Sequence, residues 1–201
     1  MTQRQTLLPP GGIQACRPWP HALVSGAWRP ALNDVLGGRP SLWVGERRFA
    51  SLMPDGALLV DGGEESKSPG NLVDLVETLI RSGLTRDRVV VAVGGGATSD
   101  LVGFAAASAL RGVDWIAVPT TLLAAVDASI GGKTGVNLGA GKNLLGAFHQ
   151  PLATIIDAHF WQTLDRAELR SGVAEIFKTA LLSPSLLTRI LACSTIEDTL
   201  V

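Results

Sequence analysis

Cysteine is scarce, and its scarcity removes one class of protein at once. Cys16 and Cys193 are the only two in 201 residues, and they lie far apart in the chain. Two such thiols build neither a disulfide framework nor a zinc-type cluster, which suits a reducing cytoplasm and inert thiols. An excess of either charge is also missing, because 17 basic and 18 acidic residues leave a formal net charge of -1. Nucleic acid and anionic membranes are therefore poor partners, since binding them rests on a positive field. No apolar run reaches the roughly 18 residues that suggest a membrane span. The opening residues MTQRQTLLPPGG lack the charged-then-apolar order of a secretion signal. The expectation is a soluble cytoplasmic protein whose partners are small molecules. At 46% hydrophobic and 17% charged residues, the chain can bury a sizeable core. Its length fits one large domain, or one domain and part of another.

Periodicity then divides the chain. Residues 1–40 are rich in Pro, Gly, Arg and Trp, show little repeat, and read as loops around weak strands. Residues 57–61 read as a short buried strand that ends at Gly62-Gly63, followed by Glu64-Glu65-Ser66-Lys67. Leu72, Leu75, Val76, Leu79 and Ile80 recur at three- and four-residue spacing and predict one apolar helix face that stops near Gly83. A strand at 89–93 runs into Gly94-Gly95-Gly96. With a small-residue helix over about 100–110 and a strand at 113–118, it makes a βαβ unit with a glycine-rich first turn. Pro119 closes the second strand, and Thr120 or Thr121 can cap a helix carrying Leu122, Leu123 and Val126. A Gly-rich stretch covers 131–146, and 153–156 is strand-like. Leu169, Val173, Ile176, Phe177 and Ala180 predict a helix over 166–182. A domain boundary is expected near Phe160, and no internal repeat is visible.

Two glycine motifs bear on phosphate binding. Three glycines between a strand and a helix let backbone amides and the positive helix end approach a pyrophosphate; the same glycines also serve a plain tight turn. The strict dinucleotide fingerprint is not met, because Ser99 stands where its last glycine or alanine belongs. Gly132-Lys133-Thr134 looks like the end of a triphosphate-binding loop. Asp127 occupies the place of that loop's first glycine, and a helical segment rather than a strand precedes it, so this reading is set aside.

The ordered series is longer than any single motif. It comprises Gly94-Gly95-Gly96 to Asp100, Leu110-Arg111-Gly112-Val113, Val118-Pro119-Thr120-Thr121-Leu122-Leu123, Val126-Asp127 and Gly131-Gly132-Lys133-Thr134-Gly135. Gly141-Lys142-Asn143-Leu144-Leu145-Gly146-Ala147-Phe148, Gln150-Pro151 and Ser171-Gly172-Val173-Ala174-Glu175 with Lys178 complete it. It resembles the 3-dehydroquinate synthase family, densely over about 89–182 and upstream only in the Gly63-Glu64-x-x-Lys67 box. The resemblance implies an α/β fold. A Rossmann-like NAD-binding domain over residues 1–160 would be followed by the start of an α-helical metal and substrate domain over 161–201, with the active site in the cleft between.

The family closes 3-deoxy-D-arabino-heptulosonate 7-phosphate to 3-dehydroquinate and phosphate, a lyase step of aromatic biosynthesis that uses NAD and a zinc- or cobalt-type ion. By resemblance, the cofactor contacts are Glu64, Lys67, Gly95, Gly96, Ala97, Thr98, Ser99, Asp100, Thr120, Thr121, Asp127, Lys133, Lys142, Phe160, Trp161, Gln162 and Thr163. Helix capping is the other reading of Asp100 and of the threonine pair. Arg111, Asp127, Lys133, Lys142, Asn143 and Lys178 would grip and turn over the phosphorylated sugar, Arg as a planar fork and Lys as a mobile ammonium; solvated loop charges are the plainer reading. Glu175 would be a metal ligand, although with Lys178 it also fits a surface pair at three-residue spacing.

Some family features are missing. An Asp-x-Asn segment for the cofactor ribose is not visible over 42–49, and Ala97-Thr98-Ser99 replaces a commoner branched-apolar pair plus glycine. His21, His149 and His159 lie outside the family's ligand segments. The expectation is an amino-terminal, truncated chain, inactive alone and exposing apolar surface. A related cyclase or a non-catalytic NAD-binding remnant stands as the alternative, and homodimers occur in the family.

Overall fold

A continuous apolar strand is buried on both faces only inside a parallel sheet covered by helices, and Val89, Val90, Val91, Ala92 and Val93 form one, each fully buried. The computed structural model describes residues 21–24 and 26–192. In chain order, its elements are β1 (His21–Val24), α1 (Trp28–Leu36), β2 (Ser41–Glu46), β3 (Leu58–Val60), α2 (Pro69–Arg81), β4 (Val89–Gly94), α3 (Gly96–Ser108) and β5 (Trp115–Pro119). Then follow β6 (Lys133–Leu138), β7 (Gly141–Phe148), β8 (Ala153–Asp157), α4 (Arg166–Ala180) and α5 (Pro184–Ala192). Six strands run parallel in the order β1-β8-β5-β4-β2-β3, while β6 and β7 form a separate antiparallel pair.

The two faces of β4 build two cores. Val89, Val91 and Val93 pack with Trp28, Leu32 and Leu36 of α1, with Phe160 and Trp161, and with Ile176, Ala180 and Ile190 of α4 and α5. Val90 and Ala92 pack on Leu72, Leu75 and Leu79 of α2 and on Leu101, Val102 and Ala105 of α3. The residues after Phe160 therefore share a buried cluster with the sheet. Beyond it, Leu181, Leu182 and Leu191 are exposed.

Several expectations need correction. Within the stretch read as loops and weak strands, α1 is a regular helix: Pro30 fits its first turn, and Gly37 ends it in the left-handed region at φ 57°. Residues 1–20 lie outside the described set. The strand near 57–61 is half-buried at the sheet edge, not buried. α3 begins at Gly96 rather than near Asp100, because packing overrides the weak helix preference of Gly, Thr and Ser. The helix after Thr121 is short and ends in a wide π-type turn over Ala124–Ala128, with the Ser129 N–H bonded to the Ala124 carbonyl at 2.9 Å. The Gly-rich stretch is the β6–β7 hairpin. It lies so close to α3 that a Cβ on Gly103 would stand 2.5 Å from the Thr134 methyl and 2.9 Å from the Trp115 ring.

Candidate active site

In an open parallel sheet, a crevice opens where neighbouring strands send their connections to opposite sides. β2 leads outward to β3 and β4 leads the other way to β5, so the crevice falls between Glu46 and Gly94, at the carboxyl ends of β2 and β4. A cleft of about 560 Å³ lies there, lined among others by Glu46, Arg47, Arg48, Gly95, Gly96 and Thr121.

The glycine turn is tight for a visible reason. A Cβ on Gly94 would come within 2.7 Å of the Glu46 carboxylate and the Thr98 side chain, and one on Gly95 within 3.4 Å of Thr121. The Glu46 Oε1 accepts from the Gly95 N–H at 2.6 Å and from the Thr98 hydroxyl at 2.9 Å, while Arg48 Nε donates to Oε2 at 2.7 Å. No side chain caps α3, so the first-turn amides at Gly96 and Ala97 line the cleft. The buried hydroxyls of Ser99 and Thr120 have no partner. An uncapped helix end and a turn without room for a side chain fit the pyrophosphate of a dinucleotide. Thr121 takes the capping role weighed from sequence, its hydroxyl accepting from the Ala124 N–H at 3.1 Å.

One turn into α3, a polar network replaces the apolar wall. Asp100 is not a cap; its carboxylate accepts from Lys67 Nζ at 2.6 Å, and the same ammonium donates to Asn143 Oδ1. Burial pushes the Asp100 carboxyl above the usual range, against the pull of Lys67. Glu64 accepts from Asn137 Nδ2 at 2.8 Å and lies 3.7 Å from Lys142 and 4.0 Å from Lys67. The Asn137 hydrogen bond, ahead of both lysines, holds the Glu64 carboxyl below its ordinary value.

A second cleft of about 440 Å³ is lined by Asp100, Asp127, Lys133, Asn143 and the hairpin backbone. Lys133 pairs with Asp127 at 3.3 Å. Lys178 pairs with Glu175, which raises the pKa of its ammonium, and Asp127 adds to the effect. Asp127 thus pairs with Lys133 and acts electrostatically on Lys178; α4 packs on the π-type turn, and just before that turn a Cβ on Gly172 would lie 2.4 Å from Leu122.

Other proposed contacts lie elsewhere. Arg111 follows the far end of α3, about 20 Å from the glycine turn at the helical rise of 1.5 Å per residue. No partner is seen for it among the described residues, and its backbone is left-handed at φ 64°. The rings of Phe160 and Trp161 are core, Phe160 meeting Phe49 edge-on at 5.6 Å; Gln162 and Thr163 are exposed, and the Thr163 hydroxyl donates to the Phe160 carbonyl. Thr134 donates to the Ala147 carbonyl inside the hairpin, so Gly132-Lys133-Thr134 opens a strand and no phosphate loop. Among the described residues, no three His, Cys, Asp or Glu side chains come together, so Glu175 supplies one ligand at most. Sequence reasoning missed Glu46 and Asn137. An acid closing the apolar run Leu42-Trp43-Val44 was a usable signal for Glu46; a hairpin asparagine offered none.

A family model described as 3-dehydroquinate synthase N-terminal matches residues 57–171. The 3-dehydroquinate synthase of Alkaliphilus metalliredigens is 52% identical over 116 residues, 58% of this chain and 33% of that protein. That of Cutibacterium acnes is 41% identical over 172 residues, 83% of this chain and 47% of that protein. The chain thus spans about a third to a half of the length of the curated relatives it matches. Among solved structures, 2-epi-5-epi-valiolone synthase from Streptomyces hygroscopicus subsp. jinggangensis, with NAD+ and Zn2+ bound, superposes with a TM-score of 0.74 at 30% identity, covering 85% of this chain and 51% of that one. A 2-deoxy-scyllo-inosose synthase complexed with carbaglucose-6-phosphate, NAD+ and Co2+ gives 0.71 at 29%, covering 81% and 49%. An NADH-dependent butanol dehydrogenase from Thermotoga maritima, at 16% identity and a TM-score of 0.64, shares the fold.

Proposed function

The chain belongs to the 3-dehydroquinate synthase family, and we propose that it binds NAD at the glycine turn and the phosphorylated sugar between α3 and the hairpin, as part of a 3-dehydroquinate synthase. The single observation behind this reading is the adjacency of the two clefts along one helix. The uncapped end of α3 faces the first, and Asp100, one turn on, belongs to the second.

Bound NAD supplies a reversible hydride acceptor for a ring hydroxyl. The residues of the chain do the rest by binding and orientation. The first-turn amides of α3, at Gly96 and Ala97 on the cleft wall, receive the pyrophosphate. Lys133 and Lys178 place two ammonium groups around Asp127, suited to hold a phosphate as its charge rearranges on leaving. Lys67 orients the Asn143 amide toward the same cleft. Glu175 is the acidic group available to a divalent ion, and Lys178 would have to release it. A homodimeric cytoplasmic enzyme is part of the proposal; among the described residues no helix is long and apolar enough to cross a membrane.

The test is phosphate release from 3-deoxy-D-arabino-heptulosonate 7-phosphate with NAD and Zn or Co, on this chain and on the chain extended by its genomic downstream sequence. Turnover in the extended protein supports the reading; no turnover by folded, metal-loaded protein defeats it. A second reading, another sugar-phosphate cyclase, draws on the likeness to valiolone and inosose synthases. Other phosphorylated sugars as substrates in the same assay, with carbaglucose-6-phosphate as a competing ligand, would reveal it.

A further inference from the structure

An asparagine carries one side-chain acceptor, one two-proton donor and a main-chain N–H. Asn137 on β6 uses all three on the polar network beside the second cleft, which Asn143 lines and Lys67 joins through Asp100 and Asn143. Its N–H donates to the Lys67 carbonyl at 2.9 Å, its Nδ2 donates to Glu64 Oε1 at 2.8 Å, and its Oδ1 accepts from the Asn143 N–H at 2.9 Å. Asn143 has φ 55°, a left-handed backbone that L residues seldom hold without local support. The captured N–H supplies that support and leaves the Asn143 carbonyl oxygen of the side chain facing Lys67 Nζ. The ring closes through the backbone of Lys67.

We propose that Asn137 is the positioning residue that locks Glu64 and Lys67, the pair that the family resemblance assigns to the cofactor, to Asn143 in the lining of the second cleft. It makes the Glu64–Lys67 turn and the tip of the hairpin move as one piece, so a ligand seated on one side finds the other side already arranged. The proposal rests on the functional reading above for the names of the two sides, and on geometry alone for the ring. The charged groups facing Glu64 are Lys67 from its own turn, Lys142 from β7 and, more distantly, Asp100 from α3. The Asn137 hydrogen bond leads these in holding the Glu64 carboxyl down.

Asn137→Ala and Asn137→Asp in the full chain separate the contributions. The alanine variant deletes both side-chain bonds; the aspartate variant keeps an acceptor for the Asn143 N–H but sets a carboxylate against Glu64. Amide exchange at Asn143, the NMR titration of Glu64 and calorimetric binding of NAD are measured on each. In Asn137→Ala, the Asn143 amide should exchange at least about tenfold faster, the Glu64 titration should move up toward ordinary glutamate, and NAD affinity should fall about tenfold. In Asn137→Asp, protection at Asn143 should persist while NAD affinity falls at neutral pH and recovers on acidification, as one of the two facing carboxyls takes a proton and becomes a donor. A merely structural role would lower the melting temperature and deprotect many amides together without that split. Unchanged Asn143 exchange and Glu64 titration in Asn137→Ala overturn the ring, whatever the cofactor does. Equal NAD affinity in all three proteins overturns the coupling, and no NAD binding by the wild-type chain removes both the coupling and the functional reading, leaving the ring to the first two measurements.

Discussion

Replacing Lys67 by methionine keeps the side-chain length and removes only the ammonium. Lys67 is 4% exposed and makes the 2.6 Å bond to Asp100, whose side chain is 19% exposed. Deleting one partner of a buried pair costs about 3–5 kcal/mol, because the survivor keeps its desolvation penalty. Asp100 retains some contact with water, so the expected loss is about 2–4 kcal/mol. The pH dependence fixes the cause. Burial already raises the folded-state pKa of Asp100, and Lys67 is the main group opposing it. An acid raised in the folded state favours folding when protonated, below its unfolded pKa of about 3.9, and the benefit is lost as pH rises through the folded value. Losing Lys67 raises that value further. The deficit should therefore be full at neutral pH and shrink on acidification through the window between the further-raised folded pKa of the variant and the folded pKa of the wild type. Urea unfolding followed by tryptophan fluorescence at neutral and mildly acidic pH measures both quantities. A loss under about 1 kcal/mol, or one of constant size across pH, would refute the buried-pair argument.

Gly94→Ala should weaken NAD binding at least about tenfold, near 1.4 kcal/mol, because its Cβ would press on Glu46 and Thr98; calorimetry with folded protein checks this, and unchanged affinity would detach the turn from the cofactor. Lys133→Ala should lower kcat/KM at least about tenfold in the phosphate-release assay, and a smaller effect would remove it from phosphate departure. Asp165→Ala deletes the cap whose carboxylate accepts from the Ala167 and Glu168 N–H groups at 2.8 Å each. A loss of about 1 kcal/mol in thermal unfolding is expected, with NAD affinity unaltered.

What could be read from the sequence was what repeats or what must be small. The apolar run over Val89–Gly94 and the helical spacing of Leu72, Leu75 and Leu79 yielded β4 and α2, because burial leaves a local period. Gly94-Gly95-Gly96 announced a strand-to-helix turn. By contrast, α1 has three buried residues, Trp28, Leu32 and Leu36, interrupted by Pro30 and followed by Gly37-Gly38, too few to establish a period. The hairpin hid behind its glycines, some of which serve close packing, as a Cβ on Gly135 or Gly146 would meet the facing strand at 2.7 Å or 2.1 Å. Among site residues, the cations were visible as types and their partners were not. Lys67 and Asp100 lie 33 positions apart, and Lys67 and Asn143 76; no local pattern encodes such pairs. Arg111 shows the converse. Its place within an ordered motif suggested convergence with Asp127 and Lys133, yet the length of α3 carries it to the other end of the helix.

The division of labour between sheet and crossover follows from the topology. β5 and β8 are hydrogen-bonded parallel neighbours, so the chain between them must return across the sheet, and a plain helix would suffice. Instead, this connection contains the π-type turn and the hairpin, and it carries Asp127, Lys133, Asn137, Lys142 and Asn143. The glycine turn and Glu46 belong to the strand ends. The hairpin could then vary with the crossover while the glycine turn stayed with the sheet, were the two not bound at Gly103 and through Lys67. Those two attachments make the hairpin's position a property of α3. Exchanging the hairpin for that of a related cyclase should therefore preserve folding only where the residue facing Gly103 stays as small as Thr134 and an asparagine still meets Lys67. A folded chimera with a bulkier residue at the first position would show the attachment to be looser than the 2.5 Å approach demands.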